Sequence, residues 1–544
     1  MIGVVAEELE LPAVTEFFEL FKSPWERYQP GRHYDVLLSS ANRVPESDAA
    51  LVLIYGSKEN ASDRLQRIRA RAAQGPKLIS VCGERIPIYG RCRVLENHTD
   101  ELLFYQTQQQ LSASSRKEGD QQTLVRIGCD LFHEVRYLLT IGQPLEFAGT
   151  PTLELHIAML RRLIIRARLP FVEILPVPTG YPFIVCLTHD VDHPRVRYHV
   201  FDHTMFGFLY RAVFGSTIQL CRGRRSLRQV AVNWKAAISL PFVFAGLAND
   251  FWDQVNEYLA LEKDLASTFF VIPVRGEAGV DPQGHSQAKR AASYDLIDVA
   301  DDFHKLQSAN REVGVHGIDA WCDIEKGRVE RERVEKITGP RQLGTRMHWL
   351  YFGVQTPAVL EEAGFDYDST LGYNETIGYR AGTTQVFKPL NARRLLELPL
   401  HIMDTALFYP AYMNLSDDQA SAAMQPLIQN ANRFGGVLTT NWHDRSLGPE
   451  RLWRKPYQQL LDELQHNKPW FATASDVVSW FRKRRRASIN EVTNKGSLLR
   501  AELSVSENGG NLPGLIARVH TPTRGDRPFV DVSVTSRTNI EVPI

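Results

Sequence analysis

Short runs of β-branched and leucine residues alternate along the chain with stretches whose apolar positions recur every three or four residues. This is the pattern of strands followed by amphipathic helices. Residues 2–5, 36–38, 51–55 and 78–81 predict strands, and 11–21 predicts a helix with Val14, Phe17, Phe18 and Phe21 on one face. A basic, solvated helix face is expected over 64–71. Together these elements predict a small α/β domain over residues 1–150. No glycine cluster follows a strand, so no phosphate loop is expected, and an interaction or regulatory role is the default for this part. Residues 124–129 predict a strand and 131–139 a helix. Thr150 and Pro151 then cap and open a long helix to residue 164, within a connecting segment 151–180. His156, among leucines in that helix, reads as structural.

From residue 183 the alternation becomes regular. The apolar run 183–187 reads as a buried parallel strand and leads into Thr188-His189-Asp190-Val191-Asp192-His193. A helix over 251–265 precedes a strand at 266–273, and a helix over 294–308 precedes 312–315, which ends at His316. Helices over 325–338 and 357–363 precede strands at 344–348 and 365–369. Further strands are expected at 395–400, 436–440 and 468–472, with Ser475 capping a final helix. This series predicts an α/β protein whose main domain, 181–486, is a (β/α) barrel, distorted and seven-stranded. An insertion at about 200–250 mixes aromatics and bases. It reads either as core helices with a basic linker, or as a surface lying at an interface or over a substrate groove. The basic run 482–486 reads as a solvated helix end. Residues 495–544 alternate in strand fashion and predict a short β appendage.

Composition narrows the class. A chain of 544 residues exceeds one ordinary core. With 63 basic and 63 acidic residues, no global field favours nucleic acid. The six cysteines are scattered without a CxxC pair, as in a reducing compartment. The first residues lack the basic and apolar segments of a signal peptide, and no run reaches membrane-spanning length. A cytoplasmic protein without a transmembrane segment is expected, with peripheral membrane contact left open by the insertion.

The chemistry collects at predicted strand ends: Asp190 and Asp192, His316, Arg346 with His348, and His443 with Asp444. Ligands and catalytic groups gather at the carboxyl ends of strands in such folds. Carboxylates and imidazoles arriving from separate strands match a mononuclear metal site beside an acid and a base.

From about residue 182 to 481 the chain resembles the polysaccharide deacetylase (NodB homology) family. The resemblance is carried by Thr188-His-Asp-Val-Asp192, Ser267-Thr-Phe-Phe-Val271, Val313-Gly-Val-His-Gly317, Gly344-Thr-Arg-Met-His348, the segment 356–370, Leu398-Pro399 and Trp442-His443. It implies a divalent metal, zinc favoured, and removal of an N-acetyl group from a glycan or amino-sugar-containing precursor in surface or exopolysaccharide metabolism. Asp190 is then the general base, His443 the acid and Arg346 the residue orienting Asp190, while Asp192 and His316 bind metal. The family's second histidine ligand falls here on Ala320. His348 is taken as the third ligand, with Asp319 the runner-up and His193 behind it. Arg380, Trp349 and Trp442 are candidate substrate-binding residues. Competing readings are an O-acetyl esterase or cyclic-amide hydrolase on the same fold, or a carbohydrate-binding protein with a degenerate site.

Overall fold

The computed structural model describes residues 1–65, 68–72, 78–81, 84–96, 104–106, 109–111, 114–118, 122–339, 342–495, 498–505, 512–522 and 528–543. The chain forms two compact units. One comprises Met1–Gly180, Tyr379–Leu390 and Ser479–Ile544, the other Tyr181–Gly378 and Asn391–Val478.

The first unit is built on a six-stranded sheet. Ile2–Val5 lies parallel between Trp25–Arg27 and Val36–Ser39, and Leu51–Tyr55 and Thr123–Ile127 extend the parallel ladder. Ser114–Glu118 adds an antiparallel edge. Leu11–Phe21 is helical and buries all four of its expected apolar residues. Of the basic segment 64–71, residues 66 and 67 lie outside the described residues; Ala61–Leu65 is helical, and Arg69–Ala72 is a strand paired antiparallel with Arg93–Glu96. The arginine–alanine alternation there has period two, which suits a strand. Thr150 does not cap the helix Thr152–Arg166, whose preceding residue is Pro151.

Of the tail strands, Ser488–Lys495, Leu498–Ser504 and Arg537–Pro543 form a sheet of their own, while Leu515–His520 joins a strand from earlier in the chain. Leu515–His520 lies antiparallel to Phe171–Ile174, and the buried Glu173 carboxylate binds both Arg161 and His520 at 2.7 Å. Arg484, expected at a solvated helix end, is 1% exposed. It donates to the carbonyls of Leu20 and Ile174 at 3.0 and 2.7 Å, so its buried charge is fully engaged.

The second unit is a curled, all-parallel sheet with helices between its strands. Its order is Leu396–Glu397, Tyr367–Asp368, Gly344–Met347, Glu312–Gly317, Ser267–Val271, Ile184–Val191, Val437–Asn441, Ile402–Met403. Trp470–Phe471 also pairs with the Ile184–Val191 strand. The order follows the chain around a ring, as in a (β/α) barrel, and stays open between Leu396–Glu397 and Ile402–Met403. Nine strands are present where seven were expected, four of them only two residues long. The Ile184–Val191 strand carries the motif inside itself. Because side chains alternate across a strand, Thr188, Asp190 and the following Asp192 share one face. His189 faces the other way and bridges Glu262 at 2.8 Å and the Trp442 carbonyl at 2.8 Å. The last helix is capped by Thr473, whose hydroxyl accepts from the Asp476 amide, rather than by Ser475.

Candidate metal centre

Three strand ends bring Asp192, His316 and His348 together. His348 Nδ1 lies 3.0 Å from His316 Nε2, and each nitrogen lies 3.3 Å from Asp192 Oδ1. His316 Nδ1 donates to the Arg346 carbonyl at 2.8 Å, which leaves Nε2 as a lone pair facing the group. Asp192 Oδ1 is buried and accepts no hydrogen bond. For bonds of about 2.0–2.1 Å, a tetrahedral metal separates its ligand atoms by roughly 3.3–3.4 Å. The three donors therefore already stand at nearly the spacing one cation imposes. Burial lowers the His348 pKa despite Asp192 beside it, which favours the neutral, ligating imidazole.

The turns bearing these ligands are clamped from behind. The buried Arg290 donates to the His348 carbonyl at 3.0 Å and the Ile318 carbonyl at 2.6 Å, and stacks over the Tyr351 ring. Glu330 accepts from the amides of Ile318 and Asp319 at 3.0 and 2.8 Å. Trp349 follows His348 in the left-handed region, φ +65°, a conformation costly for a bulky residue and held here by these contacts.

Asp190 sits on the same strand face but in a different environment. Its Oδ1 accepts from Arg346 at 3.0 Å and its Oδ2 from Asn441 Nδ2 at 2.7 Å. Burial opposes ionisation, yet Arg346, then His316 and His443, outweigh it, and the carboxyl lies below its ordinary range. Arg346 is itself fixed by the Thr188 hydroxyl and the Ser369 carbonyl and hydroxyl. Opposite, His443 Nδ1 donates to Asp404 Oδ1 at 2.6 Å, leaving Nε2 toward the cavity, 3.8 Å from Asp192. Burial disfavours the imidazolium, but Asp404, with Asp192 and Asp190, overcomes it and raises the His443 pKa to about 9.

These groups line one cavity of about 420 Å³, which Trp349, Tyr351, Tyr409 and Tyr412 also face. Of the residues singled out in the sequence, Asp190, Asp192, His316, His348, Trp349 and His443 line this cavity, and Arg346 backs Asp190. Asp319 and Trp442 stand apart from it. Asp319 is occupied by Lys326 at 2.5 Å and the Val280 amide at 2.9 Å, so its carboxylate is engaged elsewhere. Trp442 is wholly buried, its ring 5.0 Å from that of Tyr457, and offers no face to a sugar. Arg380 belongs to the other compact unit. His193 lies in the cavity wall, 3.1 Å from His199, outside the ligand group. Ala320 is fully buried.

Asp404, Asn441 and Arg290 escaped the sequence reading. Asp404 follows a two-residue strand too short to register, and Asn441 had only its place beside Trp442-His443 to mark it.

No family model matches the chain, and no curated protein matches it. Solved structures do. A putative polysaccharide deacetylase from Mycobacterium smegmatis is 17% identical, with a TM-score of 0.33, over 57% of this chain and 95% of that one. The allantoinase Puue is 17% identical, with a TM-score of 0.34, over 55% and 90%. A probable polysaccharide deacetylase from Pseudomonas aeruginosa PAO1 is 14% identical, with a TM-score of 0.34, over 56% and 92%.

The ligand assignment has a direct check in zinc titration followed by calorimetry. The wild-type chain is expected to bind one equivalent, Asp192→Ala and His316→Ala to lose it, and Asp319→Asn to keep it. Arg290→Met, which removes a clamp rather than a ligand, should weaken binding by roughly 10–100-fold.

Proposed function

We propose that the second unit is a metal-dependent hydrolase that removes an N-acetyl group from an amino-sugar-containing glycan or its precursor. The observation that carries this reading is a three-donor cation site flanked, within one cavity, by an ionised carboxylate and a carboxylate-backed histidine. The donor set of two imidazoles and one carboxylate suits Zn²⁺. When bound, the cation supplies Lewis acidity to an acyl carbonyl and to water.

The chain's own residues supply the rest. Asp190, held ionised by Arg346 and Asn441, accepts the proton of the attacking water. The same contacts keep it from swinging into the ligand group. His443 carries its proton on Nε2 when charged and hands it to the departing amine; Asp404 fixes its tautomer and stabilises the cation. Aromatic rings at the cavity mouth offer faces for sugar, Trp349 being 37% exposed. The complete donor set speaks for a working centre rather than a degenerate binding site. Ester or cyclic-amide hydrolysis would use the same groups, and nothing in the cavity favours it.

Acetate release from N-acetylated glucosamine oligomers is the test, with O-acetylated sugar and allantoin in parallel. N-acetyl turnover that stops with chelator and returns with Zn²⁺ is expected. Asp190→Asn should lower kcat by about 10²–10⁴-fold while retaining metal. Release from the ester or ring amide alone contradicts the proposed substrate.

The proton donor has its own signature in pH. His443 must be charged, so activity falls as pH rises through its pKa. Asp404→Asn removes the neighbouring carboxylate and should move the alkaline limb of kcat/KM to lower pH by roughly 1–3 units. An unmoved limb would assign the proton to another group.

A further inference from the structure

The insertion in the second unit combines two features that no catalytic role uses. Between residues 203 and 249 the chain carries six cations, Arg211, Arg222, Arg224, Arg225, Arg228 and Lys235, and not one Asp or Glu. Over the same span it leaves large apolar side chains facing water. The helical stretch through His203–Leu209, Tyr210–Gly215 and Ser216–Cys221 exposes Phe206, Tyr210, Phe214 and Ile218, four residues apart and therefore on one stripe. The helix Leu227–Phe244 exposes Leu227, Trp234, Ile238 and Phe242, again at helical spacing. These eight residues are 44–75% exposed.

Neither stripe is a core face turned outward by error. Both helices already bury a separate apolar face: Phe208, Ala212, Ala236, Leu240 and Val243 pack with Val196 and Trp252. The helices are thus apolar on two sides, which a purely solvated helix is not. The cations divide in a similar way. Arg211 and Arg225 turn inward to the Glu450 side chain and carbonyl. Arg222, Arg224 and Arg228 cluster exposed around the turn between the helices, and with Lys235 they have no ion-pair partner among the described residues. Among the described residues no helix is long and apolar enough to cross a membrane.

We propose that this helical pair docks on an anionic lipid surface, its apolar stripes entering the interfacial region while the basic turn meets the headgroups. Charge complementarity selects the occupant. A surface with free cations, no acids, and aromatic and aliphatic residues at helical spacing has the composition of an in-plane interfacial helix. The inference does not depend on the catalytic reading. It would place the unit beside substrates that are themselves presented at a membrane.

Vesicle flotation of the full chain tests it, using vesicles of phosphatidylcholine alone and of an equal mixture with phosphatidylglycerol. Binding to the mixed vesicles that weakens with salt is expected. Combining Arg222→Ser, Arg224→Ser and Arg228→Ser should lower it about 100-fold, at roughly fivefold per charge. Combining Phe206→Ser, Phe214→Ser, Ile238→Ser and Phe242→Ser should abolish it. Both variants should keep wild-type metal content, because every altered residue is exposed. Failure to bind mixed vesicles, or equal binding to both compositions that the arginine variant leaves unchanged, would overturn the proposal. So would a chain that floats with neither composition and instead self-associates in a manner the serine variant abolishes.

Discussion

Asp192 Oδ1, His316 Nε2 and His348 Nδ1 converge from three strand ends to within 3.0–3.3 Å of one another. The surrounding structure holds the three side chains in that arrangement. Arg290 ties the carbonyls behind the two histidines, Glu330 ties the amides beside them, and the left-handed turn at Trp349 sets the angle at which His348 enters. A group built this way is preorganised for a cation.

Two aspartates on one strand face take different parts because their partners differ. Asp190 is saturated by a guanidinium and an amide, which keep it charged and immobile. Asp192 keeps one oxygen free. The same logic separates the histidines. A backbone carbonyl behind His316 turns its Nε2 toward the ligand group, whereas a carboxylate behind His443 raises its pKa to about 9. Partner identity thus gives chemically similar groups different settings within a few ångströms, as the proposed ligand, base and acid roles require.

Much of this was legible in the chain because it lies on long periodic strands. The runs before Asp190 and His316 are apolar enough to announce buried parallel strands, and period-two alternation places Asp190 and Asp192 together. His348 stood out by arriving at the next strand end. What stayed hidden depends on contacts across the sheet. The burial of Trp442 and the occupation of Asp319 by Lys326 follow from packing that no local pattern encodes. Asp404 and Arg290 sit on short elements or loops whose neighbours in space are distant in sequence. Arg484 reads as solvent-facing from its basic neighbours, yet its position under two backbone segments buries it. The short strands at Leu396–Glu397 and Ile402–Met403 likewise owe their existence to pairing rather than propensity.

The most direct measurement is the position of the cation itself. Crystals grown with zinc, read by anomalous scattering at the zinc edge, should show one strong peak at about 2.0–2.2 Å from Asp192 Oδ1, His316 Nε2 and His348 Nδ1. A peak centred on Asp319 or on His193 and His199, or no peak in the cavity at saturating zinc, would contradict the account.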